Sequence, residues 1–478
     1  MDKFKKPQEN KMGTMPINRL LISMSVPMMI SMLVQALYNI VDSIFVAQID
    51  EKALTGVSLA FPVQSLMIAI AVGSGVGINA LVSRRLGEKR FEEANQTAEN
   101  GIFLNMLHYL LFAGLAILFM KQFFLSQTND PEIIRHGQEY LYVISFFGLG
   151  KFLQITFERL LQSTGLSFYS MISQGAGAVI NIIMDPILIF GLLGLPAMGT
   201  KGAAIATVIG QSIAASLGLY FNLKYNKELQ FSLKKFQPRL QILKDIYAIG
   251  IPSILMMSLA SFLNLAMNNI LIAFTPTATA VFGIYFRLQS FVFMPIFGMN
   301  NGMVPIIGYN YGARKADRIK EVLRLGVKYA LSIMFIGTIL FQLFPEQLLS
   351  MFNASPEMLK IGIPAMRIIS THFIMAGFTI VMSSSFQAFG LGKYSLIISL
   401  IRQVIVLLPV AYFMAQTGDL NLVWWAYPIS EAVSVIVCLF FLRVVTKNII
   451  NRLDDSDGHQ GEKRKMKESN QQVIKAEK

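Results

Sequence analysis

Residues 61–77 read FPVQSLMIAIAVGSGVG, and 225 positions further on residues 286–302 read FRLQSFVFMPIFGMNNG. Phe61 falls on Phe286, Gln64 on Gln289, and Gly73 and Gly77 on Gly298 and Gly302. The same offset carries Pro27 onto Pro252, Asn39 onto Asn264, Gly87 onto Gly312 and Gly137 onto Gly362. It also pairs Pro131 and Glu132 with Pro356 and Glu357, Gln162 with Gln387, Gly165 with Gly390, and Tyr169 with Tyr394. A register held that long without a slip marks a duplicated unit of about two hundred residues.

Both copies are apolar. Hydrophobic residues make up 54% of the 478 positions, charged residues 14%, and the mean hydropathy is +0.54. A cytosolic enzyme, a disordered chain and a secreted disulfide scaffold are excluded, because none could keep so much apolar surface in water. The single cysteine, Cys438, cannot form an internal disulfide. A bilayer core of ~30 Å requires about 20 mostly apolar residues per helix. By that measure the chain has twelve spans, near 20–46, 54–82, 100–120, 138–161, 168–194, 202–223, 246–273, 278–308, 325–344, 359–389, 394–415 and 422–445. The expected class is an all-α integral membrane protein of twelve transmembrane helices in two parallel six-helix repeat lobes, parallel because six is even.

The predicted organisation is a cytoplasmic N-terminal segment 1–19, an N-lobe 20–223, a basic cytoplasmic linker 224–244, a C-lobe 245–446 and a disordered cytoplasmic tail 447–478. The first helix is expected to be retained, since the stretch before it, with Lys3, Lys5, Lys6 and Lys11, is too polar for a signal peptide. The net charge of +13 sits in 1–19, 84–93, 224–244, 314–324 and 443–478, on alternate loops. By the positive-inside rule both termini are then cytoplasmic in a multi-pass cell membrane protein. The basic surface faces anionic lipid rather than nucleic acid.

Gly73 to Gly77 and Gly298 to Gly302 have the G-x-x-x-G spacing that lets helices approach closely, with gating motion the alternative to simple packing. Pro27 and Pro252 fall inside helices one and seven, where each allows either a fixed kink or a moving hinge.

Ionisable groups inside spans cost at least ~2.5 kcal/mol each and so call for a reason. Asp42 in span one shares a helical face with Asn39 and Gln35, bordered by Tyr38. Asp185 in span five shares a face with Asn181 and Gln174 and precedes Pro186. At the 225 offset these aspartates fall on Met267 and Val410, so the second lobe has no counterpart. A coupling-ion site is needed once, whereas a structural carboxylate would serve both lobes. A buried carboxyl, especially beside another, also holds a proton closer to neutral pH than in water. Ion coupling and buried hydrogen bonding both remain open for the pair.

Glu158 and Arg159, Arg287, Arg402 and Glu431 read first as structural ion pairs, and His108 and His372 as interhelical hydrogen bonders. The 27 methionines include candidates for an adaptable pocket lining. No G-x-x-x-x-G-K-[ST] loop is present; Gly390-Leu391-Gly392-Lys393 is too short. H-E-x-x-H, G-x-S-x-G and Cys/His metal clusters are missing too, so neither an enzyme nor a cofactor or metal is expected, and an ion gradient is the remaining energy source.

With two parallel six-helix lobes, Pro27, Gln35, Tyr38, Asn39 and Asp42 in helix one, and the run NIIMDPIL over 181–188 in helix five, residues 15–446 resemble the multidrug and toxic compound extrusion family, and within it the DinF-like branch. The resemblance implies ion coupling at Asp42, Asn181 and Asp185, a hinge at Pro27, and export of drugs and small organic, often lipophilic, cations by cation-coupled antiport. Gln35, Tyr38, Asn39, Tyr140 and Gln174 are the candidate cavity residues. The family's other branch uses acids in helices seven and ten, where this sequence has Asn264, Asn268, Asn269 and His372. That departure favours H+ over Na+. The alternatives are a Na+-coupled antiporter, a flippase of lipid-linked oligosaccharide precursors, for which Arg287 alone speaks, and a passive channel or scaffold. The oligomeric state is not set by the sequence.

Overall fold

The computed structural model describes residues 10–230 and 236–453. Ten helices are each long and apolar enough to cross a membrane, and two bent pairs complete twelve spans. In chain order these are α1 (Ile17–Ala47), α2 (Glu51–Gly87), α3 (Phe91–Leu125), α4 (Pro131–Phe146 with Leu149–Ser163), α5 (Ser167–Phe190) and α6 (Gly199–Tyr225). The second six are α7 (Leu240–Ile272), α8 (Pro276–Gly312), α9 (Ala316–Leu343), α10 (Pro356–Ser370 with Phe373–Ala388), α11 (Gly392–Ala415) and α12 (Leu420–Leu453). The protein is all-helical, with twelve spans in two six-helix lobes. Leucine, isoleucine and phenylalanine side chains such as Leu110, Ile117, Leu118 and Phe119 of α3 stay on the outside, as lipid-facing positions require.

The duplication is visible in the backbone itself. Both bent spans turn by 48°. Asp50 caps α2 by accepting from the Ala53 N–H, and at the offset position Thr275 caps α8 by accepting from Thr277. Asp130 and Ser355 cap α4 and α10 in the same way, each followed by a proline whose fixed φ suits the first helical turn. Lys89 and Arg314, at equivalent positions, both adopt the left-handed conformation, with φ 61° and 57°. Such geometry costs a non-glycine residue of order 1 kcal/mol, and it recurs because each ends a helix where its lobe meets the other.

Several helices run past the apolar stretches that announce them. Residues 91–99, which include Glu92, Glu93 and Gln96, are the polar first turns of α3. Residues 447–453 continue α12 rather than starting a disordered tail, because the helical backbone pattern, partly π-helical, persists to Leu453. The rest of the expected tail, 454–478, lies outside the described residues, as do 231–235 of the linker and 1–9. Within the linker α6 extends to Tyr225 and α7 starts at Leu240.

The lobes meet through α1 against α8 and α2 against α7. A Cβ built on Gly298 would lie 2.5 Å from the Met29 backbone, and one on Gly302 2.8 Å from Ser25, on either side of Pro27. Gly73 approaches Ile254 and Gly250 in the same manner beside Pro252. These glycines are therefore packing devices between lobes. At the basic end, α2 and α8 touch directly: Gly87 lies under the Tyr309 carbonyl and Gly312 under the Arg84 carbonyl, and the Arg84 guanidinium stacks 4.8 Å over the Tyr311 ring.

A strap reinforces this closure. Asn10 donates to the Thr164 carbonyl of the N-lobe at 3.1 Å, while the carbonyls of Met12 and Met15 accept from Arg318 at 2.9 and 2.7 Å and that of Gly13 from Lys315 at 2.9 Å. Met12 is fully buried. Hydrogen bonds from a charged donor contribute about 1.5–3 kcal/mol. Arg318→Ala is therefore expected to speed amide exchange at Gly13 and Met15 by at least tenfold, with α3 unaffected; unchanged exchange at both amides would mean that the strap is held by other contacts.

Candidate functional site

The two lobes differ in what their interiors hold. In the C-lobe, Phe282, Tyr285, Phe373 and Trp424 are all buried, and Arg402 meets Glu431 at 3.4 Å while Thr379 donates to the same carboxylate at 2.5 Å. At the 225 offset Arg402 falls on Gly177, which lines a cleft in the N-lobe, and Glu431 falls on Ala206. Glycine and alanine stand where the C-lobe has an ion pair. The reading of Arg402 and Glu431 as a structural pair holds. His108 makes the expected interhelical bond, to the Tyr247 hydroxyl at 2.7 Å, whereas His372 bonds the Ile369 carbonyl of its own span at 2.5 Å. Arg287 is exposed on α8.

A cavity of about 420 Å³ in the N-lobe is lined by Gln35, Tyr38, Asn39, Asp42, Gln64 and Tyr140, with Lys151 and Thr207. A second cleft shares Gln35, Tyr38, Lys151 and Thr207 with it and adds Gln154, Gln174, Asn181 and Gln211. All five candidate cavity residues thus come together with Asp42 and Asn181, and Asp185 lies directly behind them.

The local sequence explains the convergence. On α1, Gln35, Asn39 and Asp42 recur at helical spacing and point inward. On α5, Gly177 crosses Gly210 of α6 so closely that a Cβ on either would sit 2.6–2.7 Å from the other's carbonyl. This crossing seats Thr207 against Asn181. In the amide orientation that satisfies both neighbours, Asn181 Nδ2 donates to Asp185 Oδ2 at 3.3 Å and Oδ1 accepts from the Thr207 N–H at 3.1 Å. Further down the seam, Gln174 donates to Gln35 Oε1 at 3.0 Å and accepts from the Ser31 hydroxyl. Gln64 lies within hydrogen-bonding reach of the Tyr140 hydroxyl.

The carboxyls of Asp42 and Asp185 lie within hydrogen-bonding reach of each other across the α1–α5 contact. Ionised carboxylates only accept, so a bond between them requires a proton on one of them. Asp185 is fully buried, and one oxygen of each carboxyl, Oδ1, has no protein partner. Both aspartates stand five residues before the ends of their helices, Ala47 and Phe190. At 1.5 Å per residue the pair is about 8 Å from the non-basic ends, shallower than the mid-membrane depth typical of repeat transporters. Pro27 lies in an uninterrupted α1, fifteen residues below Asp42.

Four contributors, Lys151, Gln154, Thr207 and Gln211, are not singled out by the sequence. Lys151 and Gln154 lie with Glu158 on one face of the second half of α4, and Gln154 donates to Glu158 at 2.9 Å. Glu158 and Arg159 diverge: Arg159 reaches Asn301 of α8 at 2.8 Å, a polar link between the lobes. Thr207 carries no charge and no repeat signal, so only its place opposite Asn181 reveals it. Among the described residues no group of three or more His, Cys, Asp or Glu side chains could hold a metal ion.

A duplicated helical bundle with one polar, acid-lined cavity in one lobe defines a membrane transporter rather than an enzyme. A family model described as MatE matches residues 27–187 and again residues 252–413, starting at Pro27 and at Pro252. The chain belongs to this family. It is 27% identical over 446 residues to the multidrug export protein MepA of Staphylococcus haemolyticus, covering 91% of this chain and 95% of that one. To MepA of Staphylococcus aureus strain MRSA252 it is 26% identical over 433 residues, 89% and 94% of the two chains. Among solved structures, the outward-facing conformation of a multidrug resistance MATE family transporter of the MOP superfamily superposes with a TM-score of 0.87 at 26% identity, covering 94% of this chain and all of that one. A MOP superfamily transporter from Pyrococcus furiosus, described as having a binding pocket of reverse polarity, gives 0.86 at 27% identity over 94% and 99%.

Proposed function

We propose that the protein is a secondary active multidrug exporter that exchanges organic, often cationic and lipophilic, compounds for protons at the Asp42–Asp185 pair. The observation that carries this reading is Asp42, which lines the N-lobe cavity, with the buried carboxyl of Asp185 packed against it. The names of the staphylococcal relatives supply the class of cargo. In this cycle the basic ends of α2 and α8 face the cytoplasm, with both termini, and the contact at Gly87 and Gly312 seals that side. The organisation is then an N-lobe of 20–223 and a C-lobe of 245–446 rocking about the glycine-lined interface. A cation enters when the pair is deprotonated and is drawn to its charge. Reprotonation removes one negative charge from the pair, restores the hydrogen bond between Asp42 and Asp185, and lets the cation leave. Pro27, with no N–H to tie it to the turn below, is where α1 bends during that exchange.

A proton suits the site better than sodium. Na+ requires several oxygens arranged around one point, whereas Asn181 turns its amide nitrogen toward Asp185. Export of the monocationic dye ethidium from reconstituted vesicles is expected under an imposed proton gradient and not under a sodium gradient alone. Efflux driven only by sodium would reverse the choice of ion, and no efflux under either would remove the multidrug reading in favour of a lipid-linked cargo.

A further inference from the structure

The cavity is not uniformly acidic. Lys151, on the second half of α4, lines both the cavity that holds Asp42 and the cleft that holds Gln174 and Asn181. Its ammonium is a strongly hydrated point charge, costly to hold at membrane depth unless it serves a purpose. With the acid pair of α1 and α5 on one side and Lys151 on the other, the cavity is dipolar, with separate subsites for a positive and a negative group. The neutral lining between them, from Gln35, Gln154, Gln174 and Gln211, offers donors and acceptors without adding charge.

We propose that Lys151 is a specificity-determining residue that selects cargo carrying an anionic group besides its cationic centre. The inference rests on the export function proposed above and adds to it the charge class of the cargo. An amine docks at the Asp42–Asp185 pair, and a carboxylate on the same molecule docks at the Lys151 ammonium, in a low-dielectric site where such a contact counts for more than in water. A monocation of the same shape makes no contact with that ammonium, whose nearby carboxylate is Glu158, and so lacks the second anchor.

The test compares rhodamine B, a zwitterion near neutral pH, with its ethyl ester, a monocation on the same ring system. Transport of each into inverted proteoliposomes is measured with wild type, Lys151→Met, Lys151→Gln and Lys151→Arg. The expected result is a KM for rhodamine B that rises at least tenfold relative to the ester in both neutral variants, while Lys151→Arg keeps the wild-type ratio. Detergent melting temperatures show which variants are folded, and either neutral variant alone suffices. An unchanged ratio in a folded neutral variant, or loss of transport in equal proportion for both dyes, overturns the role of Lys151 and leaves the exporter reading standing. A wild type that moves neither dye overturns the exporter reading itself.

Discussion

Asp185→Asn, and separately Asp42→Asn, should reduce proton-driven efflux by more than a hundredfold while the protein remains folded. An amide is isosteric with the protonated carboxyl, so the new side chain at position 185 can keep the link to Asn181 and the shared bond across α1 and α5. What it cannot do is lose and regain a proton. The substitutions therefore separate structure from coupling. If the pair only holds α1 against α5, the amide variants retain efflux and the loss appears instead as a melting temperature lowered by several degrees in alanine variants. If the pair couples, both amide variants melt like wild type and fail to transport. Measuring melting and efflux on the same preparations, at matched reconstitution, distinguishes the two outcomes. A dye that still accumulates against its gradient in Asp185→Asn would remove the buried carboxyl from the mechanism.

The other large effect is expected at the closed end. A methyl group on Gly87 would lie 1.9 Å from the Tyr309 oxygen, and one on Gly312 2.1 Å from the Arg84 oxygen. Both obstacles are backbone, which cannot swing aside as a side chain would. Overpacking of this kind costs about 3 kcal/mol against the closed arrangement, which is roughly a hundredfold in population. Gly87→Ala and Gly312→Ala should therefore hold the basic ends of α2 and α8 apart and stop the cycle with one side open. Gly114→Ala is the control, since nothing lies within 4 Å of the added carbon. Distances between spin labels on the basic ends of α2 and α8 should lengthen in the first two variants and stay the same in the third. Equal distances in all three would mean that the helices can meet without those glycines.

Much of this was legible beforehand because membranes restrict what a sequence can mean. The twelve spans follow from apolar length, and the duplication from a register that Pro27, Gly73, Gly87 and Gly165 hold through the second lobe. Asp42, Gln35, Asn39, Asn181 and Gln174 could be grouped by helical spacing, and the cavity does bring their side chains together. Helix ends were less legible: polar first turns such as 91–99, and residues 447–453 of α12, look like loop because hydropathy reports lipid contact rather than hydrogen bonding. Lys151 was missed although it falls midway along the span read at 138–161 and shares a helical face with Gln154 and Glu158. Its place in the cavity depends on the 48° bend of α4, which spacing cannot foretell. Thr207 required knowledge of which helices cross, and the Gly177–Gly210 contact that sets that crossing joins two different spans.

The central claim is that proton and cargo exclude each other at one site, and proton release on binding tests it most directly. Ethidium is titrated into the purified protein in weakly buffered solution near pH 7.5, and the protons set free are counted against the dye bound. The account predicts release of about one proton per dye for wild type and none for Asp185→Asn. Dye binding to wild type with no proton release would contradict it, whatever the efflux assays had shown.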